Sequence, residues 1–239
     1  MKFNSSHLAY CTNIHPAESW EETRIMLENH VLKVRDLLRS QGRLGVDEEF
    51  AIGLRLSAVA AEELLQGDNL EEFKAWLSAN QAYVFTINGF PYGSFHGTRV
   101  KEKVFQPDWT EPARVEYTKN LFRILAEIAK PEAGGSVSTL PGSHKTFSAD
   151  ESIIRENLIE FSLWLEDLTK ESGIDLHLGL EPEPIGHIEN TAETIAFFER
   201  LHEQADNPSA LSQRIGLNYD TCHFAIEFDN ATSSLYALQ

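Results

Sequence analysis

Two short motifs in the second half of the chain combine carboxylates with an imidazole. Residues 180–184 (LEPEP) and 219–223 (YDTCH) each place a carboxylate directly after an apolar segment. A carboxylate there is costly unless a cation or hydrogen-bond donors compensate its charge. We therefore predict that Glu181, Asp220 and His223 bind a divalent metal ion, and such ligands suit Mn²⁺, Mg²⁺, Zn²⁺ or Co²⁺. The alternative is that both acids are solvated or cap the helices that follow.

Polar side chains also follow most of the other apolar segments. In a parallel barrel the functional site lies at the carboxyl ends of the strands, so these residues are candidates for ligand contacts. The predicted substrate-binding residues are His15, Asn88, His96, His144, Glu183, His187 and His223. The alternative for each histidine is an ordinary loop residue that packs or is solvated.

Apolar segments alternate six times with amphipathic helical stretches. The predicted strands are residues 7–13, 51–57, 83–88, 136–140, 175–180 and 215–219. Between strands, apolar side chains recur at spacings of three and four, which is typical of helices. Strict β/α alternation implies parallel strands with helices outside. Because the first strand is not followed by a glycine-rich phosphate loop, the pattern favours an α/β fold of the TIM (β/α)8-barrel type over an open doubly wound sheet.

The number of repeating units predicts an incomplete barrel. Six units of about 40 residues fill a single domain of residues 1–239, and eight units would need roughly 80 residues more. We therefore expect the last strands to be missing from this chain. The first and sixth strands would then expose unpaired edges, which makes such a chain prone to aggregate.

Composition restricts the location and the partners. The 239 residues include 37 acidic and 20 basic side chains, which gives a formal charge of −17. Such a charge repels a phosphate backbone, so we expect no nucleic-acid partner. No apolar run reaches the roughly 20 residues of a membrane span, and Cys11 and Cys222 are too few for a disulfide framework. A cytoplasmic protein is expected.

Several motifs resemble known families. Glu181-Pro182 closing one strand and Asp220-x-x-His223 closing the next are similar to the xylose-isomerase-like TIM barrels, which include sugar isomerases, ketose epimerases and endonuclease IV. Residues 10–16 (YCTNIHP), 18–20 (ESW), 89–97 (GFPYGSFHG) and 107–109 (PDW) resemble the metabolite traffic (EboE) subgroup along the whole chain. The resemblance implies that Glu181 and Asp220 bind the metal and that His223 contacts metal or substrate. In ketose epimerases a His and a Glu from the last two strands complete the metal site, and those strands are the ones expected to be missing.

These observations lead to three hypotheses of function. The first is a metal-dependent isomerase or epimerase acting on a small sugar-like or hydroxy-carbonyl metabolite, in which Glu181 is the catalytic residue and moves a proton on the carbon next to the polarised oxygens. The second is a non-catalytic metabolite-binding or traffic protein on the same barrel, with protein partners from a metabolite pathway. The third is a metal-dependent hydrolase like endonuclease IV, which the charge of −17 disfavours.

Overall fold

The computed structural model describes residues 1–4, 6–93 and 102–239. The strands in these ranges are β1 (Lys2–Phe3), β2 (Ser6–His7), β3 (Tyr10–Cys11), β4 (Phe50–Arg55), β5 (Ala82–Asn88), β6 (Gly135–Thr139), β7 (Leu176–Leu180) and β8 (Ile215–Leu217). The α-helices are α1 (Trp20–Met26), α2 (Leu32–Ser40), α3 (Ala58–Leu64), α4 (Asn69–Ala79), α5 (Pro112–Ile128), α6 (Glu151–Ser172), α7 (Thr191–Gln204), α8 (Pro208–Arg214), α9 (Thr221–Ile226) and α10 (Ala231–Ala237). A π-helical turn, Leu27–Val31, joins α1 to α2.

Six of these strands form one parallel sheet, in which neighbours along the chain are also neighbours in the sheet. β3 to β8 pair consecutively, whereas β1 and β2 form a separate antiparallel hairpin. Arg55 aligns with Asn88, Asn88 with Ser138, and Thr139 with Leu180, so the carboxyl ends of β4 to β7 meet at one edge. Parallel strands in sequential order with intervening helices are the repeating unit of a TIM barrel, and the predicted fold class is confirmed.

The apolar core lies between the sheet and the helices. Ile52, Val84, Val137 and Leu178, from four consecutive strands, are fully buried. Helices α5 and α6 cover them, since α5 packs on β5 and β6 and α6 packs on β7. Strands that bury one whole face against helices need β-branched or leucine side chains there, which these segments supply. The opposite face is polar and is described with the site below.

Local capping explains where several elements begin and end. The Ser19 side chain accepts a hydrogen bond from Glu22 N and the Glu22 side chain accepts from Ser19 N, so the capping box starts α1. The second predicted strand extends two residues too far, because Ser57 caps α3 through Ala60 N. The first is also too long, because Thr12–Ile14 turn into a 3-10 helix. Among the described helices, none is both long and apolar enough to cross a membrane.

Candidate metal and ligand site

Glu181, Asp220 and His223 form a compact cluster at the carboxyl ends of β7 and β8. One ligand atom from each of the three residues lies within 4.8 Å of the others. Backbone pairing continues past both strands, because Glu181 N donates to Thr139 O at 2.9 Å and Asn218 N donates to Leu180 O at 2.8 Å. The sheet therefore places the two motifs beside each other, as parallel neighbours require.

The imidazole of His223 is held in a defined orientation. Its Nδ1 lies 2.8 Å from Pro182 O, and because a carbonyl only accepts, Nδ1 is the donor. This leaves Nε2 facing Glu183 Oε2 at 3.0 Å and Asp220 Oδ2 at 3.6 Å. Nε2 is therefore the imidazole nitrogen that could bind a metal ion, with two carboxylates beside it. Backbone carbonyls orient metal-binding histidines in the same way.

Glu181 is the most buried member of the cluster. Its side chain is 12 % exposed, against 18 % for His223 and 32 % for Asp220. Asn218 Nδ2 donates to Glu181 Oε2 at 2.7 Å, which leaves Oε1 as the oxygen nearer His223 Nδ1, at 3.9 Å. Burial raises the pKa of Glu181 above its ordinary value, and the Asn218 bond only partly opposes this. A cation beside Oε1 would supply the missing compensation.

Asp220 has a structural role as well as a place in the cluster. Its Oδ1 accepts hydrogen bonds from Cys222 N at 2.7 Å and His223 N at 3.2 Å, so it is the N-cap of α9. Its other oxygen, Oδ2, faces His223 Nε2. The capping alternative and the metal-binding hypothesis are therefore compatible, because each uses a different carboxylate oxygen.

An open cavity of about 420 Å³ lies against this cluster and runs along the polar face of the sheet. This volume is in the range of small-molecule sites. Asn88, one of the predicted ligand-binding residues, lines it together with Glu181 and Asp220. The remaining lining residues are Cys11, Asn13, Gly53, Thr86, Ser136, Val137, Ser138, His177, Gly179, Leu217 and Asn218.

The other predicted ligand contacts lie in different surroundings. His15 bonds through Nε2 to Tyr10 OH at 2.9 Å and stacks on His30, in a separate surface cavity. His144 is buried, with Nδ1 at 2.8 Å from Thr146 Oγ1. His187 Nε2 pairs with Glu151 Oε2 at 2.8 Å. None of these three lines the cavity beside the cluster, and His96 lies outside the described residues.

Sequence reasoning missed cavity residues that lie further down the strands. Thr86, Ser136, His177 and Asn218 line the cavity, and Ser136 Oγ donates to Thr86 Oγ1 at 2.9 Å. Alternation along a strand could have identified these residues, because positions two or four apart lie on the same face. Each of the four lies two or four residues before a polar residue at a strand end, as His177 lies before Glu181. These residues lie outside the strand ends to which the prediction was confined, and barrel interiors are usually packed with branched apolar side chains.

Buried contacts fix the loops at the rim. Arg114, fully buried, donates to Gly89 O and Pro107 O, each at 2.8 Å, and so joins both ends of the segment between β5 and α5. Trp109 Nε1 donates to Thr139 Oγ1 at 3.1 Å, and Trp109 N donates to Gly142 O at 2.9 Å. The PDW motif at 107–109 therefore ties this segment to the loop after β6.

The donor set fits a divalent metal ion. Two carboxylates and one imidazole converge, and the imidazole is oriented by a carbonyl. A buried carboxylate with a raised pKa is one that a cation would stabilise. Hard oxygen ligands with one nitrogen are compatible with several first-row metals and Mg²⁺, so the donors do not select one of them.

Comparison with known proteins shows the fold. No protein-family model matches the chain, and no curated protein matches it. Among solved structures, the IolI protein with a bound zinc atom covers 88 % of this chain at 16 % identity and a TM-score of 0.50. The probable 3-DHS dehydratase AsbF of Bacillus anthracis covers 97 % at 12 % identity and 0.52, and a xylose isomerase domain protein of Planctomyces limnophilus covers 85 % at 14 % identity and 0.52. The chain spans 64 %, 69 % and 64 % of these proteins, respectively. It therefore has the fold of the xylose-isomerase-like TIM barrels over about two thirds of their length.

Proposed function

We propose that the protein is a metal-dependent isomerase- or epimerase-like enzyme for a small sugar-like or hydroxy-carbonyl metabolite. The observation that carries the proposal is the convergence of Glu181, Asp220 and His223 within 4.8 Å beside a polar cavity. Such a constellation in a concave site is a candidate active site on physical grounds. The ligand would be a small molecule and not a nucleic acid, in keeping with the charge of −17.

Each residue has a proposed role in this reaction. Glu181, Asp220 and His223 would hold the metal, which when bound polarises ligand oxygens. Glu181 would also carry the proton on the neighbouring carbon, because its carboxylate lines the cavity in which the ligand would lie. Asn88 would orient ligand hydroxyl groups from the cavity wall.

The similar solved structures support this choice of reaction class. IolI binds zinc in its structure, AsbF is described as a probable dehydratase, and a third protein carries a xylose isomerase domain. They have the same fold as this chain at 12–16 % identity, so their chemistry enters here only as support for the proposal.

Metal content tests the site directly. The purified protein, dialysed against Zn²⁺, Mn²⁺ or Co²⁺ and then freed of unbound metal, should retain about one ion per chain, as measured by inductively coupled plasma mass spectrometry. Glu181→Gln, Asp220→Asn and His223→Gln should each lower retention at least tenfold. Asp220→Asn keeps an oxygen that can cap α9, so a loss of metal from this variant reflects the lost charge and not a lost helix cap.

A histidine outside the cluster provides the matched control. His202 is on α7 and bonds to Ser212 Oγ at 3.0 Å, so His202→Gln should leave metal retention unchanged. Wild-type retention in the Glu181→Gln protein would remove the proposed site, and with it the proposed reaction.

A non-catalytic metabolite carrier is the second candidate. The observation that favours it is that the acids of the site are already engaged: Glu181 Oε2 accepts from Asn218, and Glu183 Oε2 faces His223 Nε2 at 3.0 Å. Fewer oxygens then remain to move a proton. The resemblance of motifs such as residues 10–16 to the metabolite traffic (EboE) subgroup is in keeping with the same alternative.

Solvent deuterium exchange separates the two candidates. The metal-loaded protein is incubated in D₂O with ketoses and aldoses, and exchange at the carbon next to the carbonyl is followed by proton NMR. An isomerase or epimerase exchanges this hydrogen faster than free metal does, and Glu181→Gln abolishes the difference. Binding of the sugar without exchange would identify a carrier.

A further inference from the structure

The cavity beside the cluster is lined by groups that both donate and accept hydrogen bonds. Three amides (Asn13, Asn88 and Asn218), three hydroxyls (Thr86, Ser136 and Ser138) and the imidazole of His177 belong to its wall. A sugar hydroxyl also donates and accepts, so such a wall can satisfy it in either sense. Among the described residues, the lining contains neither lysine nor arginine.

Two cations at the same rim, within the described part of the chain, are already paired. Arg55 aligns with Asn88 in the sheet, but its guanidinium donates to Ala17 O and, at 2.7 Å, to Gly93 O, and it pairs with Glu18 at 3.1 Å. Lys145 pairs with Glu189 and with Glu193. Pairing neutralises these charges and keeps them out of the cavity wall, so they do not offer the bidentate contacts that phosphate and carboxylate groups need.

The backbone N–H groups at the start of α9, which could otherwise bind an anion, are also occupied. In many barrels a phosphate binds backbone N–H groups at the start of a helix near the strand ends. Here the N–H groups of Cys222 and His223 donate to Asp220 Oδ1. The carboxylate of Asp220 thus already fills the place of an external anion at α9.

The charge of the site also disfavours an anionic ligand. Glu181 and Asp220 together carry two negative charges when ionised, which one divalent metal ion cancels. An anionic group elsewhere in the cavity would meet no lysine or arginine among the described lining residues and would feel the repulsion of a chain with a net charge of −17. We infer that this cavity takes an uncharged polyhydroxy or hydroxy-carbonyl ligand and discriminates against its phosphorylated analogues. The inference rests on the proposed function, because it assumes that the ligand binds beside the metal cluster.

Matched pairs of probes test this discrimination. Binding of D-fructose and D-fructose 6-phosphate, and of D-xylulose and D-xylulose 5-phosphate, is measured calorimetrically on the Mn²⁺-loaded protein at 0.15 M salt. In at least one pair the uncharged sugar should bind at least tenfold more tightly, and the gap should narrow at 1 M salt because salt screens the repulsion. Equal or tighter metal-dependent binding of the phosphates would overturn this inference and leave the proposed function standing. Binding of none of the four sugars by the metal-loaded protein would overturn both.

A charge introduced into the wall gives an independent check. Ser138 lines the cavity and is the register partner of Asn88. Ser138→Lys should improve binding of the phosphorylated member at least tenfold relative to the uncharged one, whereas Ser138→Gln, similar in reach but neutral, should not. An unchanged preference in Ser138→Lys would place the ligand outside this cavity and overturn the inference.

Discussion

Glu181 is in a position where its negative charge is unfavourable until a cation compensates it. Burial raises its pKa above the ordinary value of 4.5, and the largest cause is desolvation. In the metal-free protein the ionised form therefore destabilises the fold, and this cost is present above the unfolded pKa and absent below it. The residue therefore lowers stability at a position where we propose that it binds a metal ion, as functional groups often do.

Glu181→Gln should consequently stabilise the protein when metal is removed. Gln keeps an oxygen for the Asn218 bond and carries no charge. In EDTA at pH 7 we expect its melting temperature to rise by about 2–4 °C, which corresponds to roughly 1 kcal/mol for a chain of this size. The gain should shrink as the pH falls through the raised pKa of Glu181 and vanish below about 4.5, and saturating Zn²⁺ should reverse the order of the two proteins. A lower melting temperature for the variant in EDTA would contradict the burial cost.

Asn218 is expected to act on the metal through Glu181. Its amide holds Oε2 at 2.7 Å, and loss of such an orienting partner typically costs 10- to 100-fold in metal affinity. Asn218→Leu should therefore weaken Zn²⁺ binding about tenfold in a competition titration with a chelating dye. Thr86→Val, which alters the same cavity at the Ser136 hydrogen bond, is the control and should bind metal normally. Equal affinity of Asn218→Leu and the wild type would show that Glu181 needs no such support.

The sequence predicts the residues that meet at the strand ends better than the positions of the more distant histidines. Glu181 and Asp220 follow apolar strands directly, so the strand geometry itself brings them together. His15, His144 and His187 follow by several residues, and over that length loop packing decides where a side chain points. His15 and His144 bond to the nearby Tyr10 and Thr146, and His187 pairs with Glu151 at a separation of 36 residues; the strand pattern encodes none of these partners.

At the scale of elements, one carboxylate contributes several contacts to the pairing of α6 with α7. Glu151, the first residue of α6, contacts Arg200 of α7 at 2.7 Å, His187 at 2.8 Å, and Arg155 on its own helix. Arg200, the strongest influence, and His187 lower the pKa of Glu151 to about 2. A carboxyl with a lowered pKa stabilises the fold above its unfolded pKa, and this contribution is lost as the pH falls through the folded value.

Glu151→Gln should therefore destabilise the protein at neutral pH but not in strong acid. We expect a loss of about 1–2 kcal/mol at pH 7, less than the pKa change alone implies, because solvent screens a partly exposed cluster. The difference, measured by urea unfolding, should persist down to about pH 4.5 and vanish towards pH 2. Glu156→Gln, an exposed acid on the same helix, should unfold like the wild type. A constant difference at every pH would indicate a packing defect instead.

Periodicity identified the six parallel strands and most of the helices, but not the short ones. The four-three spacing in α6 and the Ser19 capping box are local signals, and local signals persist in the fold. Helix α3 was missed because it follows β4 after only two residues and its small alanine-rich face lacks a strong pattern. Strand β8 is shorter than predicted, because residues after Leu217 leave the sheet to form the site.

At the scale of the whole molecule, the order of the strands was predictable, but the shortness of the two edge strands was not. Alternating β/α units fix sequential parallel pairing, which the structure has from β3 to β8. Within the described residues, β3 and β8 each pair on one side only. Both strands are short, of two and three residues, and short edge strands limit pairing with other chains.

Exposed apolar side chains beside β8 nevertheless favour self-association. Phe228 is 95 % exposed, and Ile226 and Tyr236 are also exposed, on or next to α9 and α10. Clustered apolar side chains of this size commonly mediate contacts between molecules. Phe228 also has a φ of 62°, which asparagine adopts more readily than phenylalanine. Replacement by asparagine should therefore relieve backbone strain and remove apolar surface together.

We accordingly expect concentration-dependent self-association that Phe228→Asn reduces. Sedimentation velocity from about 5 to 200 μM should show wild-type oligomers growing with concentration, while the variant remains largely monomeric and melts at the same or a slightly higher temperature. Val46→Asn, which removes another exposed apolar side chain in the loop between α2 and β4, should associate like the wild type because it lies at the opposite end of the sheet. A wild-type protein that stays monodisperse and melts cooperatively as a monomer would contradict this prediction. It would show that the sheet edges and the exposed apolar side chains of the described fold do not cause self-association.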